Sequence, residues 1–227
     1  MKKFAVLFTL LILAISLSAQ TSRTWTGSTS TDWNTDSNWS PSGVPSSSDH
    51  IVLNNGSLTN MPLLDASYSI NNITVSAGTL DLNGYTLTIT GTTSLTGGNI
   101  NNGTATFSNN TTTIAGTNCG AKVNITANTV TLNTSTFNKK VVIIKNGNSA
   151  DYWASGTFND TLDIHNSSTS GSLMVGSNYT LNLNENVWIS NSSSGSITFG
   201  HNSNGGKTVL ASGKKIQIGS GALLQAH

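Results

Sequence analysis

Ser135-Thr136-Phe137-Asn138-Lys139-Lys140-Val141-Val142-Ile143-Ile144-Lys145 and Gly156-Thr157-Phe158-Asn159-Asp160-Thr161-Leu162-Asp163-Ile164-His165-Asn166 read as two copies of one phrase. In each, Phe is followed four residues on by an aliphatic residue, two further by Ile, and two further by a polar residue. A third copy runs Leu183, Val187, Ile189, Asn191, and a weaker fourth holds Ile216, Ile218 and Ser220. The equivalent positions Val141, Leu162, Val187 and Ile216 lie 21, 25 and 29 residues apart. The two-residue spacing is that of a strand with one buried face. A repeat of this length suits one rung of a parallel β-helix, three short strands and three turns, with loops absorbing the differences. The expected fold is all-β: a right-handed parallel β-helix (β-solenoid) over residues 63–227, behind an N-terminal cap segment over 20–62. A β-sandwich is the alternative, because the Asn-Gly turns also suit antiparallel hairpins.

The same alternation extends outward from this phrase. Ile73-Thr74-Val75, Leu80-Asp81-Leu82, Leu87-Thr88-Ile89, Val123-Asn124-Ile125, Val130-Thr131-Leu132 and Leu181-Asn182-Leu183 each place a polar residue between two aliphatic ones. Turn signals separate them: Asn55-Gly56, Asn83-Gly84, Asn102-Gly103 and Asn146-Gly147. No stretch carries a helical apolar stripe. Stacked Thr and Asn can form ladders between rungs, and Asn tolerates left-handed corners, so its abundance has a structural reason.

Composition agrees. Of 227 residues only 8% are charged and 3 are Pro, while Asn, Ser and Thr together make about 95. Ten basic residues and a net charge of +1 leave no electrostatic footprint for nucleic acid. A disordered chain would carry more charge or more Pro. Lys2 and Lys3, the apolar run Phe4–Leu17 and Ser18-Ala19-Gln20 read as a secretory signal peptide over residues 1–19, too short an apolar run to span a membrane. The mature chain then contains no transmembrane segment. Cys119 is the sole cysteine, so no internal disulfide can form, and it reads as a small buried apolar residue.

Residues 25–53 differ from the rest. Trp25-Thr26-Gly27, Asp32-Trp33-Asn34, Asn38-Trp39, Pro41, Gly43-Val44-Pro45, Asp49 and Ile51-Val52-Leu53 hold three of the five tryptophans. This segment resembles the N-terminal part of secreted, repeat-rich β-helix surface proteins of Bacteroidetes-type bacteria. The later rungs, such as Gly78-Thr79-Leu80-Asp81-Leu82, look like theirs. The resemblance implies adhesin-like use at the outer cell surface and partnership with an export machinery, often the type IX system. It carries over no catalytic residues. Those proteins usually end in a sorting domain; finding none, we expect a chain cut short at residue 227.

Trp25, Trp33 and Trp39 have two readings: a cover over the end of the core, or a platform for sugar rings. Trp188, between Val187 and Ile189, is expected to point outward, and the Tyr152-Trp153 pair is expected to be partly exposed. These five, Trp188, Tyr152, Trp153, Trp33 and Trp39, are the candidate binding residues for polysaccharides or cell-surface glycans. Asp32, Asp36 and Asp49 could supply a Ca²⁺ site, with Asx-turns as the competing reading. His165 is expected to be outward and solvated, and no histidines (His50, His165, His201, His227) are spaced as metal ligands. Asp160 and Asp163 are three apart in a strand and face opposite sides, which does not suit a catalytic acid pair. The Thr sets 86/88/90, 104/106 and 129/131 are assigned to β-propensity, no rung-after-rung Thr column being evident. The functional expectation is an exported structural or adhesive surface protein without catalysis in this segment. The alternative is a non-catalytic part of a larger β-helix carbohydrate-active enzyme, a lyase or hydrolase.

Overall fold

The structure, a computed structural model, describes residues 20–191, 194–200, 205–219 and 224–226. The signal-peptide reading of 1–19, His201 and His227 lie outside the described residues. The chain winds as a parallel β-solenoid of about seven turns. The described strands gather into sheets of 13, 7 and 4 strands. The described strand pairs are parallel, except that Ser22–Trp25 meets Trp39–Ser40 in antiparallel fashion. Parallel pairing of successive turns excludes the sandwich, whose strands would meet antiparallel.

Each rung visits three faces in order. In one rung these are Val141–Lys145, Asp151–Trp153 and Gly156–Phe158; in the next they are Leu162–Asn166, Ser172–Val175 and Thr180–Leu183. The repeated phrase sets the register. Val141, Leu162, Val187 and Ile216 stand in one column, and Phe137, Phe158, Leu183 and Leu210 in another. The Phe137 and Phe158 rings stack at 4.7 Å, about the spacing of neighbouring strands. A third inward column runs Ile70, Ile89, Phe107, Ile125, Ile143, Ile164, Ile189. These side chains are nearly all sequestered from water, so each rung's apolar face is covered by its neighbours. Cys119 belongs to this core, and burial pushes its thiol up to about 12, which leaves it an inert thiol.

Asparagine ladders run along the outside. Asn138 donates to Asn118 (2.7 Å), Asn159 to Asn138 (2.8 Å) and Asn184 to Asn159 (2.7 Å). Among described non-glycine residues only Asn83, Asn102 and Thr134 have a positive φ. The abundance of Asn therefore rests on rung-to-rung bonding more than on left-handed corners. Threonine columns also exist, contrary to expectation: Thr92–Thr111–Thr129 and Ser94–Thr113–Thr131. They sit on rungs of 19 and 18 residues, shorter than the 21 to 29 that separate copies of the phrase, so its period did not align them.

The polar residue that closes each of the first three phrases turns inward. Ala127, Lys145, Asn166 and Asn191 form a buried column at the corner between the first two faces. Asn166 donates to the carbonyls of Gly171 and Ser196 (3.1 Å each), which ties the corner to the strand after it. Asn191 donates to the Gly195 carbonyl in the same way.

Candidate functional site

The cap explains where the N-terminal tryptophans go. Trp25 pairs edge-on with Trp39 at 4.9 Å, and Trp33 with Trp39 at 4.7 Å. Trp25 Nε1 donates to the Asn60 carbonyl and Trp39 Nε1 to the Trp33 carbonyl. All three indoles are buried, at 1–3% exposure. Asn38 is fully buried beside them. Its carbonyl accepts from the Thr29 and Ser30 amides, and its NH₂ donates to Ser30 Oγ and the Asp32 carbonyl. Trp33 and Trp39 are thus corrected as binding residues: their faces cover the end of the core and offer nothing to a ligand. Rung formation already begins inside 20–62, because Ser22–Trp25 pairs in parallel with His50–Leu53.

The three cap carboxylates are engaged separately. Asp49 is buried and accepts from Arg23 Nε (3.0 Å), the Ser46 amide (2.8 Å) and the Thr21 amide (3.1 Å). Burial raises its pKa, but the hydrogen bonds from Ser46, Arg23 and Thr21 outweigh this and hold it below its ordinary 3.8. Asp32 accepts from the Asn34 amide and the Thr35 hydroxyl, and Asp36 from the Val44 amide. Among the described residues no three His, Cys, Asp or Glu side chains gather as a metal site would require. The Ca²⁺ assignment to Asp32, Asp36 and Asp49 is therefore replaced by turn and loop bonding.

Trp153 is also corrected. It is fully buried, in line with Leu132 and Val175, and its Nε1 donates to the Val130 carbonyl at 3.1 Å. Its neighbour Tyr152 points out and is 50% exposed. Alternation forces this split, since successive strand residues face opposite sides.

Trp188 is outward as expected, at 38% exposure, in the strand Val187–Asn191. Register places it in a column after Val142 and Asp163. Ile144, His165 and Ser190 form the parallel column two residues along. Asp163 pairs with Lys140 at 2.6 Å, and His165 Nδ1 meets Ser190 Oγ at 2.7 Å. His165 is therefore outward but hydrogen-bonded, where a solvated ring was expected. Together Lys140, Val142, Asp163, His165, Trp188 and Ser190 line an open depression of about 640 Å³. It combines an indole, an apolar floor, a carboxylate acceptor, an ammonium donor and a polar imidazole–hydroxyl pair. Such a surface can stack the C–H face of a sugar ring and hydrogen-bond its hydroxyls. Asp163 is the lone acid among the lining residues, whereas paired-carboxylate glycoside hydrolysis needs two. The sequence reading missed Lys140, Val142, His165 and Ser190. Their signal was present in the repeat: Val142 follows its first aliphatic position by one, as Asp163 and Trp188 do, His165 and Ser190 follow it by three, and Lys140 precedes it by one.

A family model described as a domain of unknown function, DUF8693, matches residues 24–137. The chain belongs to this family. Neither a curated protein nor a solved structure matches it. The DUF8693 segment takes in the tryptophan cap and the rungs as far as Phe137. The Trp188 depression lies on rungs beyond it. Among the described residues, no helix is long and apolar enough to cross a membrane.

Proposed function

We propose that the chain is an exported cell-surface protein whose solenoid is a stiff support for a glycan-binding platform centred on Trp188. One observation carries this reading. A large aromatic ring stands outward on a strand, flanked by the Lys140–Asp163 and His165–Ser190 pairs. Burying Trp188 in the core would have required only a one-residue shift in the alternation, and the neighbouring columns rule that shift out. Tyr152, exposed on the adjoining face, is a secondary contact for a long polysaccharide. Export rests on the signal-peptide pattern of residues 1–19. Catalysis has no part in this reading, because the platform offers one carboxylate and that one is held by Lys140.

The test is glycan-array and polysaccharide pull-down binding by residues 20–227. Saturable binding is expected, with loss in Trp188→Ala and partial retention in Trp188→Phe, which keeps a ring face. Unchanged binding in Trp188→Ala, or no glycan retained by folded protein, overturns the proposal.

A further inference from the structure

Lys145 and Asp151 form the one ion pair among the described residues in which both side chains are wholly buried. Nζ of Lys145 lies 3.0 Å from Asp151 Oδ2. Register explains how two charges came inside. Lys145 occupies the inward polar column of the first face. Asp151 aligns with Leu173 and Ile197 on the inward side of the second. The corner between the faces brings the two columns together.

Hydrogen bonding at the pair is uneven. Asp151 Oδ2 also accepts from the Val130 amide at 2.8 Å, and Lys145 Nζ also donates to the Asn128 carbonyl at 3.1 Å. Asp151 Oδ1 is buried and has no hydrogen-bond partner among the described residues. A buried oxygen left this way is costly. An ammonium brings three protons to a corner where the described acceptors for it are Asp151 Oδ2 and the Asn128 carbonyl. An amide between the two side chains removes both mismatches. Its N–H is satisfied by Asn128, its oxygen keeps the Val130 amide, and the unpartnered oxygen is gone.

We propose that Lys145 and Asp151 condense into an intramolecular isopeptide bond. One proton passes from the Lys145 ammonium to Asp151 Oδ2, the oxygen it touches, which leaves a free amine and a neutral acid. The amine lone pair attacks Cγ and forms the N–C bond. A second proton moves from nitrogen to Oδ1, the Oδ2 proton follows it as the C–Oδ1 bond breaks, and water leaves with both protons. The product is Nζ–H bonded to Cγ=Oδ2, and no oxidant or further reactant is consumed. Two groups fixed in contact react at very high effective concentration, of order 10⁵ M or more in well-oriented cases, which lowers the barrier to condensation. The Lys140–Asp163 and Lys214–Glu185 pairs are partly open to water and lack this enclosure.

Tryptic digestion of the denatured, purified chain with mass spectrometry tests this. Condensation blocks cleavage after Lys145, so a single peptide from Val141 to Lys207 is expected, lighter than its sequence mass by one water. Cleavage after Lys140 proceeds normally. In Asp151→Ala and Lys145→Arg, cleavage after position 145 returns and no water is lost. A wild-type peptide Val141–Lys145 at its full mass overturns the proposal, and this result does not depend on either variant folding.

Discussion

The tryptophan cap and the Trp188 face use the same residue types in opposite ways. In the cap, Trp25, Trp33 and Trp39 are edge-packed and buried, and the carboxylate of Asp49 is enclosed by Arg23 and backbone amides. On the side face, Trp188 stands in solvent and Asp163 is held by a half-exposed lysine. The difference comes from position along the solenoid. An end rung has no neighbour to cover its core, and indoles are the largest covers available. A middle rung is covered on both sides, so an aromatic residue there is free to face outward. Aromatic content alone therefore does not locate a binding surface in this chain; the face of the strand does.

The comparison breaks most readily at Trp33. Trp33→Ala opens a cavity beneath the end of the core and is expected to cost about 3–5 kcal/mol. Guanidinium denaturation of residues 20–227 measures it. A loss below about 1 kcal/mol would mean that the cap is an appendage and not a cover.

Asp49 gives the next largest effect. Replacing it by Asn removes charge-assisted bonds to Arg23 and to two backbone amides, worth about 1.5–3 kcal/mol near neutral pH. Its folded pKa lies below the unfolded value of 3.8. Its contribution is therefore complete above that value and is lost as pH falls through the folded one. Denaturation midpoints should drop in this acid window for wild type, and less steeply for Asp49→Asn. Equal slopes would assign the acid sensitivity to other carboxylates.

The ladder sharpens the comparison at smaller scale. Asn159→Ala breaks two links, to Asn138 and Asn184, on the exposed side of a middle rung. About 0.5–1.5 kcal/mol is expected, because water replaces part of what is lost. A change like that of Trp33→Ala would show that rung-to-rung side-chain bonds rival core packing here.

The repeat phrase made the architecture legible. Phe137, Val141 and Ile143 predicted the columns that hold the core, and Trp188 was correctly turned outward by alternation alone. What alternation could not supply was the other direction, across the rungs. Trp153 was expected to be partly exposed with Tyr152, yet its column is that of Leu132 and Val175. Lys145 entered the sequence reading only as the polar residue that closes a phrase; the column with Asn166 and the facing Asp151 show it inside. The Trp188 depression has the same origin. Lys140, Asp163 and His165 come from two successive turns, and a rung length that varies by several residues hides which of them become neighbours.

The smallest expected stability effect bears most on function. Trp188→Ala removes a side chain that is 38% exposed and bounded by Val142, Asp163 and Ser190 on one face of the rod. No cavity forms, no buried group loses its partner, and the inward columns through Val187 and Ile189 are untouched. Stability should change by no more than about 0.5 kcal/mol, the range for surface substitutions. Asp163→Asn should behave similarly, since a half-exposed ion pair is worth about 0–1 kcal/mol. A destabilisation of Trp188→Ala approaching that of Trp33→Ala would show that the indole seals the depression and serves the fold. An unchanged midpoint together with lost glycan retention would separate the two tryptophans by role as sharply as the structure separates them by exposure.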